Sequence, residues 1–109
     1  MNIKQSYNKN QFIIEDGTNE KWLQSYNSTV AHITKSGRLE FGIDWNYSKT
    51  TLKHLYLFIQ DYSLNLDNNF YKLIFTNKNG AHCTLYDRQN KKAFFEKLVN
   101  DKKIGIVEL

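Results

Sequence analysis

The segment from Thr29 to Trp45 constrains the fold more than any other part of the chain. Leu39, Phe41, Ile43 and Trp45 fall on one side of an extended backbone, and Arg38, Glu40 and Asp44 on the other. Thr29-Val30-Ala31-His32-Ile33-Thr34 precedes this run, separated from it by Lys35-Ser36-Gly37. A three-residue loop with Gly37 in the left-handed region pairs Thr34 with Arg38. Ile33 then lies opposite Leu39 and Ala31 opposite Phe41, all on one apolar face. A two-residue loop would set Ile33 against Glu40, so the first register is preferred.

Other segments read as strands or helices around this hairpin. Phe12-Ile13-Ile14 is a short strand closed by the turn signal Glu15-Asp16-Gly17-Thr18, and Lys21 to Tyr26 returns antiparallel to it. Ser48 is suited to cap a helix, because its hydroxyl can accept from first-turn amides. Leu52, Leu55, Tyr56, Ile59 and Tyr62 recur behind it at helical spacing. Phe70 to Thr76 and Ala81 to Tyr86 read as a second hairpin around Lys78-Asn79-Gly80. A last helix is expected from Asp87 or Asn90 to about Asp101, with Phe94, Phe95, Leu98 and Val99 inward. Ile104 to Val107 suits an edge strand.

The expected fold is therefore α+β: an antiparallel sheet built from hairpins with two helices packed on one side, in ββ-ββα-ββα order. With 109 residues the chain suits a single domain, residues 1–109, with the order of residues 1–10 left open. Its hydrophobic fraction of 40% and aromatic fraction of 15% suffice for a packed core rich in rings.

Several function classes lack their signatures. No apolar run reaches the ~20 residues of a membrane span, and the opening MNIKQSYNKNQ has no apolar stretch of a signal peptide. Cys83 is the sole cysteine, which excludes an internal disulfide and suits a reducing, cytoplasmic setting. No phosphate-binding glycine loop, nucleophile elbow or zinc-binding histidine motif occurs, no His/Cys pair has metal-ligand spacing, and no cofactor is implied. Cys83 is read as core, and His32 and His82 as satisfied structural positions, so the chain is not expected to be an enzyme. The net charge of +4 is shared evenly, seven basic and five acidic groups in residues 1–54 against eight and six in 55–109. It leans towards an anionic partner without marking a basic tail. Tyr7, Tyr26, Tyr71 and Tyr86 are the rings that could stack on nucleic acid, and Arg88, Lys91, Lys92, Lys97, Lys102 and Lys103 read as a solvated helix face.

The densest cluster of polar chemistry is Trp45, Tyr47, Ser48, Lys49, Thr50, Thr51, Lys53 and His54, gathered at one helix start. Free amides and the positive end of the helix dipole suit such a place to an anion or an acidic side chain. The same region carries a resemblance. Ser25-Tyr26-Asn27, Ala31, Trp45-Asn46-Tyr47-Ser48-Lys49-Thr50-Thr51-Leu52-Lys53-His54-Leu55 and Phe58 resemble a pattern in small uncharacterised proteins of phages and mobile elements. It covers roughly residues 22–59, with Asn46 where the pattern often has Asp and Val30 where it often has Ile. The resemblance implies context and no activity. Together with the small size and the lack of a catalytic motif, that context leads to the expectation of an accessory protein that binds and blocks a host protein or defence complex, such as a CRISPR effector or another defence nuclease. A small basic nucleic-acid-binding protein is the alternative.

Overall fold

A computed structural model of the protein describes the backbone of residues 2–5 and residues 10–109 in full. The question of order in residues 1–10 falls largely outside the described residues, as does Tyr7. Among the described residues six strands form one sheet: β1 (Asn2–Gln5), β2 (Gln11–Glu15), β3 (Lys21–Ser25), β4 (Ser28–Ile33), β5 (Leu39–Phe41) and β6 (Gly105–Ile106). They lie in chain order, antiparallel throughout except that β6 runs parallel to β5. Three α-helices intervene before β6: α1 (Lys49–Asp61), α2 (Asn68–Phe75) and α3 (Lys91–Asn100). The fold is α+β as expected, but the sheet is mixed and carries three helices.

The central hairpin has the expected register, with Ala31 opposite Phe41 and Ile33 opposite Leu39. Gly37 sits at φ +85°, and Thr34 N–H donates to the Arg38 carbonyl at 2.8 Å. Gly37 is needed twice over, since a Cβ there would lie 2.4 Å from the backbone nitrogen of Asp67. Between β3 and β4 the register slips after Leu23, so that Gln24 pairs with Thr29 and Val30 is the extra residue. This bulge turns both Val30 and Ala31 into the core, where strict alternation would expose one of them.

Strand β5 is shorter than the alternation predicts. Backbone bonds from Trp45 N–H to the Gly42 carbonyl (3.2 Å) and from Tyr47 N–H to the Asp44 carbonyl (3.1 Å) turn the chain away. Gly42 permits this, because a Cβ would approach the Thr29 carbonyl oxygen to 2.4 Å. Ile43, expected on the core face, is thereby 68% exposed, while Trp45 still reaches the core and stacks on Phe41 at 4.9 Å.

The second hairpin is corrected outright. Residues 70–75, read as a strand, belong to α2, because Asp67 Oδ1 accepts from Phe70 N–H at 2.6 Å and starts a helix. Phe70, Ile74 and Phe75 then pack inward at helical spacing. The Asn79-Gly80 turn does form, with Gly80 at φ +81° and Asn77 N–H donating to the Ala81 carbonyl at 2.8 Å. The pairing beyond it is one bridge, Thr76 with His82. The rest of the expected strand is a 3-10 turn over Leu85–Asp87, where Asp87 Oδ2 accepts from Thr84 N–H (2.8 Å) and Thr84 Oγ1 (3.0 Å). Asn90 caps α3 by accepting from Ala93 N–H at 3.1 Å.

The core lies between one sheet face and the helices. Ile13, Leu23, Ala31, Ile33, Leu39 and Phe41 meet Leu55, Phe58 and Ile59 of α1, Ile74 of α2 and Phe95 of α3. Phe12, Ile14, Trp22, Gln24, His32 and Glu40 occupy the other sheet face and are half-buried.

Candidate functional site

Helix α1 organises the region singled out in the sequence, and Ser48 starts it as expected. Its extended backbone (φ −151°, ψ 168°) lets its Oγ accept from Thr51 N–H at 3.1 Å, while Thr51 Oγ1 lies 3.1 Å from the same hydroxyl. The eight candidate residues nevertheless separate into an interior group and a solvent group. Trp45, Thr51 and His54 are buried. Tyr47, Lys49, Thr50 and Lys53 are exposed, and Ser48 is half-buried.

The interior group is held from the sheet. α1 packs against β3 and β4, and its inward face carries Thr51, His54, Leu55 and Phe58. His54 Nδ1 and Ser25 Oγ share a hydrogen bond of 2.7 Å. The His54 carbonyl accepts from Gln11 Nε2 at 3.4 Å. Burial, and then the neighbouring Lys53 charge, hold the His54 imidazole below its ordinary pKa. Ser25 and Gln11 are polar residues inside the core for this reason.

On one flank of α1 the Ser25–Ser28 turn meets the segment leading into the helix. A cavity of about 240 Å³ opens there, lined by Ser25, Tyr26, Asn27, Ser28, Val30, Asp44, Tyr47 and Thr51. Tyr26 holds φ 55°, uncommon for a bulky residue, with its N–H donating to the Asn10 carbonyl at 2.8 Å. Two separated stretches of the sequence pattern, Ser25-Tyr26-Asn27 and Tyr47 to Thr51, thus border one pocket.

A profile described as a family of unknown function, DUF8033, matches residues 1–77. The chain belongs to that family. The matched residues span the first five strands, α1 and α2, and so contain the pocket just described. No curated protein and no solved structure matches the chain.

The other flank of α1 carries a cleft of about 250 Å³ that the sequence did not reveal. Lys49, Lys53, Tyr56 and Leu57 of α1 face Leu85, Tyr86 and Lys91 across it. The family match ends before those last three residues. Tyr86 and Lys91 stood out in the sequence separately, but their meeting with α1 did not, because 81–86 read as a strand; the signal available was Thr84-x-x-Asp87, a reciprocal cap that marks a turn. Tyr86 is 66% exposed, as expected, and Tyr26 is exposed as well. Burial, and then Glu96, push the Tyr56 hydroxyl up to about 12.

The remaining candidates have structural partners. His32 lies between Glu20 (2.6 Å) and Glu40 (2.9 Å) and stacks on Trp22 at 4.8 Å. His82 meets the Tyr71 hydroxyl at 3.0 Å. Tyr71, expected to be exposed, is half-buried and stacks on Phe75 at 4.8 Å. Cys83 is buried. Arg88 is also no solvated side chain: its guanidinium sits 3.6 Å from the Phe94 ring centroid and donates to the Ile74 and Thr76 carbonyls. Among the described residues, no three His, Cys, Asp or Glu side chains are grouped to hold a metal ion. No helix among them is long and apolar enough to cross a membrane.

Proposed function

We propose that the protein acts by binding rather than by catalysis, as a stoichiometric inhibitor of a host protein such as a CRISPR effector or another defence nuclease. The observation that carries this reading is the solvent flank of α1. There Lys49 and Lys53 stand beside an apolar cleft open to water, a combination suited to protein recognition. The resemblance of residues 22–59 to small phage and mobile-element proteins supports the setting, a cytoplasmic accessory protein. Trp45, Thr51 and His54 support the surface from beneath and do not touch the partner; Tyr47, Ser48, Lys49, Thr50 and Lys53 are the contact candidates.

The test is capture of partners by the tagged protein from a host lysate, with and without nuclease treatment. The reading expects one protein in fixed stoichiometry that survives nuclease. Recovery of nucleic acid alone, released by salt as counterions cease to drive binding, defeats it.

That second outcome has its own supporting observation. Tyr86 projects into solvent among Lys49, Lys53 and Lys91, as a ring does when a base stacks on it and lysines meet the phosphates. The apolar floor of the cleft favours the protein reading, since a base would leave its polar edge unmatched there.

A further inference from the structure

We propose that the cleft between α1 and the Leu85–Asp87 turn receives an acidic protein segment that seats one large apolar side chain. This rests on the binding reading above and specifies the partner's chemistry.

The floor of the cleft is apolar. Tyr56 and Leu57 remain half-buried, keeping part of their surface in water, and Leu85 closes the bottom. A volume of about 250 Å³ has room for one leucine- or tryptophan-sized side chain, not for a folded element. Filling it would remove apolar surface from water on both partners, the usual source of a central anchor.

The rim supplies the sign of the partner's charge. Lys49 and Lys53 stand one helical turn apart, and neither pairs with a carboxylate among the described residues. Lys91, across the cleft, is tethered to the Arg88 carbonyl at 3.1 Å, which leaves its charge uncompensated. The placement of the first two is costly. Lys49 opens α1, where the helix dipole is positive, and neither lysine has an acidic residue in the first turn to offset it. They also repel each other at i,i+4 spacing. A local arrangement that opposes folding and has no compensation within the fold marks a surface shaped for something else. An acidic segment relieves both penalties on binding. The acidic groups near the cleft are committed or peripheral: Asp87 caps the Thr84 turn, and Glu96 lies beside Tyr56 on α3.

Fluorescence anisotropy of labelled peptides tests the proposal on the full chain. The probe is a peptide of glutamates around a central tryptophan, compared with the same peptide carrying a central serine and with single-stranded DNA. The tryptophan peptide should bind, weaken with salt, and bind roughly tenfold more tightly than the serine peptide. The Lys49→Glu, Lys53→Glu double variant should bind it at least roughly tenfold more weakly while melting no lower than wild type. Failure of the tryptophan peptide to bind, equal binding of the serine peptide, or an unaffected double variant would each overturn the proposal. So would preference for the DNA with loss in the same variant, which would assign the cleft to nucleic acid. A host protein captured equally by wild type and the folded double variant would remove the cleft yet leave the binding reading standing. Capture of no protein by wild type would remove both.

Discussion

The Ser25 hydroxyl and His54 Nδ1 lie 2.7 Å apart with both side chains buried, so one hydrogen bond joins strand β3 to helix α1 across 29 positions of sequence. The pair is a structural tie beneath the candidate surface. Replacing Ser25 by Ala leaves a ring nitrogen unpaired in the core, and the expected loss is about 1–3 kcal/mol of stability. Urea unfolding of the variant reads it directly; a midpoint equal to wild type would mean that water takes the serine's place.

The same histidine makes stability fall with acid. Its folded pKa is lowered from 6.5 by burial, so the unfolded chain binds the proton more readily. The contribution is complete above pH 6.5 and is lost as pH falls from there towards the lowered folded value. The melting temperature should therefore drop between pH 7.5 and pH 5 by more in wild type than in His54→Gln. Comparing the two slopes isolates His54 from the carboxylates and the other histidines; equal slopes would show that the ring is not desolvated.

Glycine substitutions separate backbone strain from steric collision. Gly17 and Gly37 have nearly the same φ, +86° and +85°, but a Cβ at Gly17 meets nothing within 4 Å. Gly17→Ala should cost about 1 kcal/mol, the strain of the left-handed region alone. Gly37→Ala should cost clearly more, because its Cβ would displace Asp67, whose N–H donates to the Gly37 carbonyl at 2.9 Å and whose side chain caps α2. Thermal melts that rank the two equally would refute the collision.

These residues also show where sequence reasoning reaches and where it stops. Gly37 was legible because only one loop length keeps Ile33 away from Glu40, so pattern and turn chemistry agreed. Ser48 was legible because a hydroxyl cap acts on its own next three residues. Residues 70–75 were not, since Phe70, Leu73, Ile74 and Phe75 fit a helical stripe while Tyr71, Leu73 and Phe75 fit one face of an alternating strand. The tie-breaker was the cap at Asp67, three residues upstream. The candidate site was half legible for a different reason. Local spacing says that Thr51 and His54 share a face, but which face meets the sheet depends on Ser25, a partner that no local pattern names.

Arg88 tests the packing around that misread segment. Its Nη2 donates to the Ile74 carbonyl at 2.7 Å and the Thr76 carbonyl at 3.2 Å, tying the end of α2 to the Phe94 ring of α3. Charge-assisted bonds of this kind support a loss of about 2 kcal/mol for Arg88→Ala. Arg88→Lys should recover little, because an ammonium cannot cover the ring face as a planar guanidinium does. Full rescue by lysine, read from denaturant midpoints, would reduce the residue to its charge.

The lysines at the start of α1 yield the prediction that opposes function to stability. Lys49 is the first residue of the helix and is exposed, so a negative charge there meets the positive end of the dipole. Lys49→Glu should therefore stabilise the free protein by about 0.3–1 kcal/mol at low salt. It also replaces a repulsive Lys49–Lys53 pair with a Glu-to-Lys pair in the favourable i,i+4 orientation, adding about 0.2–0.5 kcal/mol. Both gains should shrink as salt is raised, which distinguishes them from a packing effect. The same substitution should weaken capture of the partner protein. A variant that folds more stably and binds less well is the signature of a cation kept at a structural cost. If Lys49→Glu lowers stability instead, the lysine is serving the fold, and the argument from misplaced charge to an acidic partner fails with it.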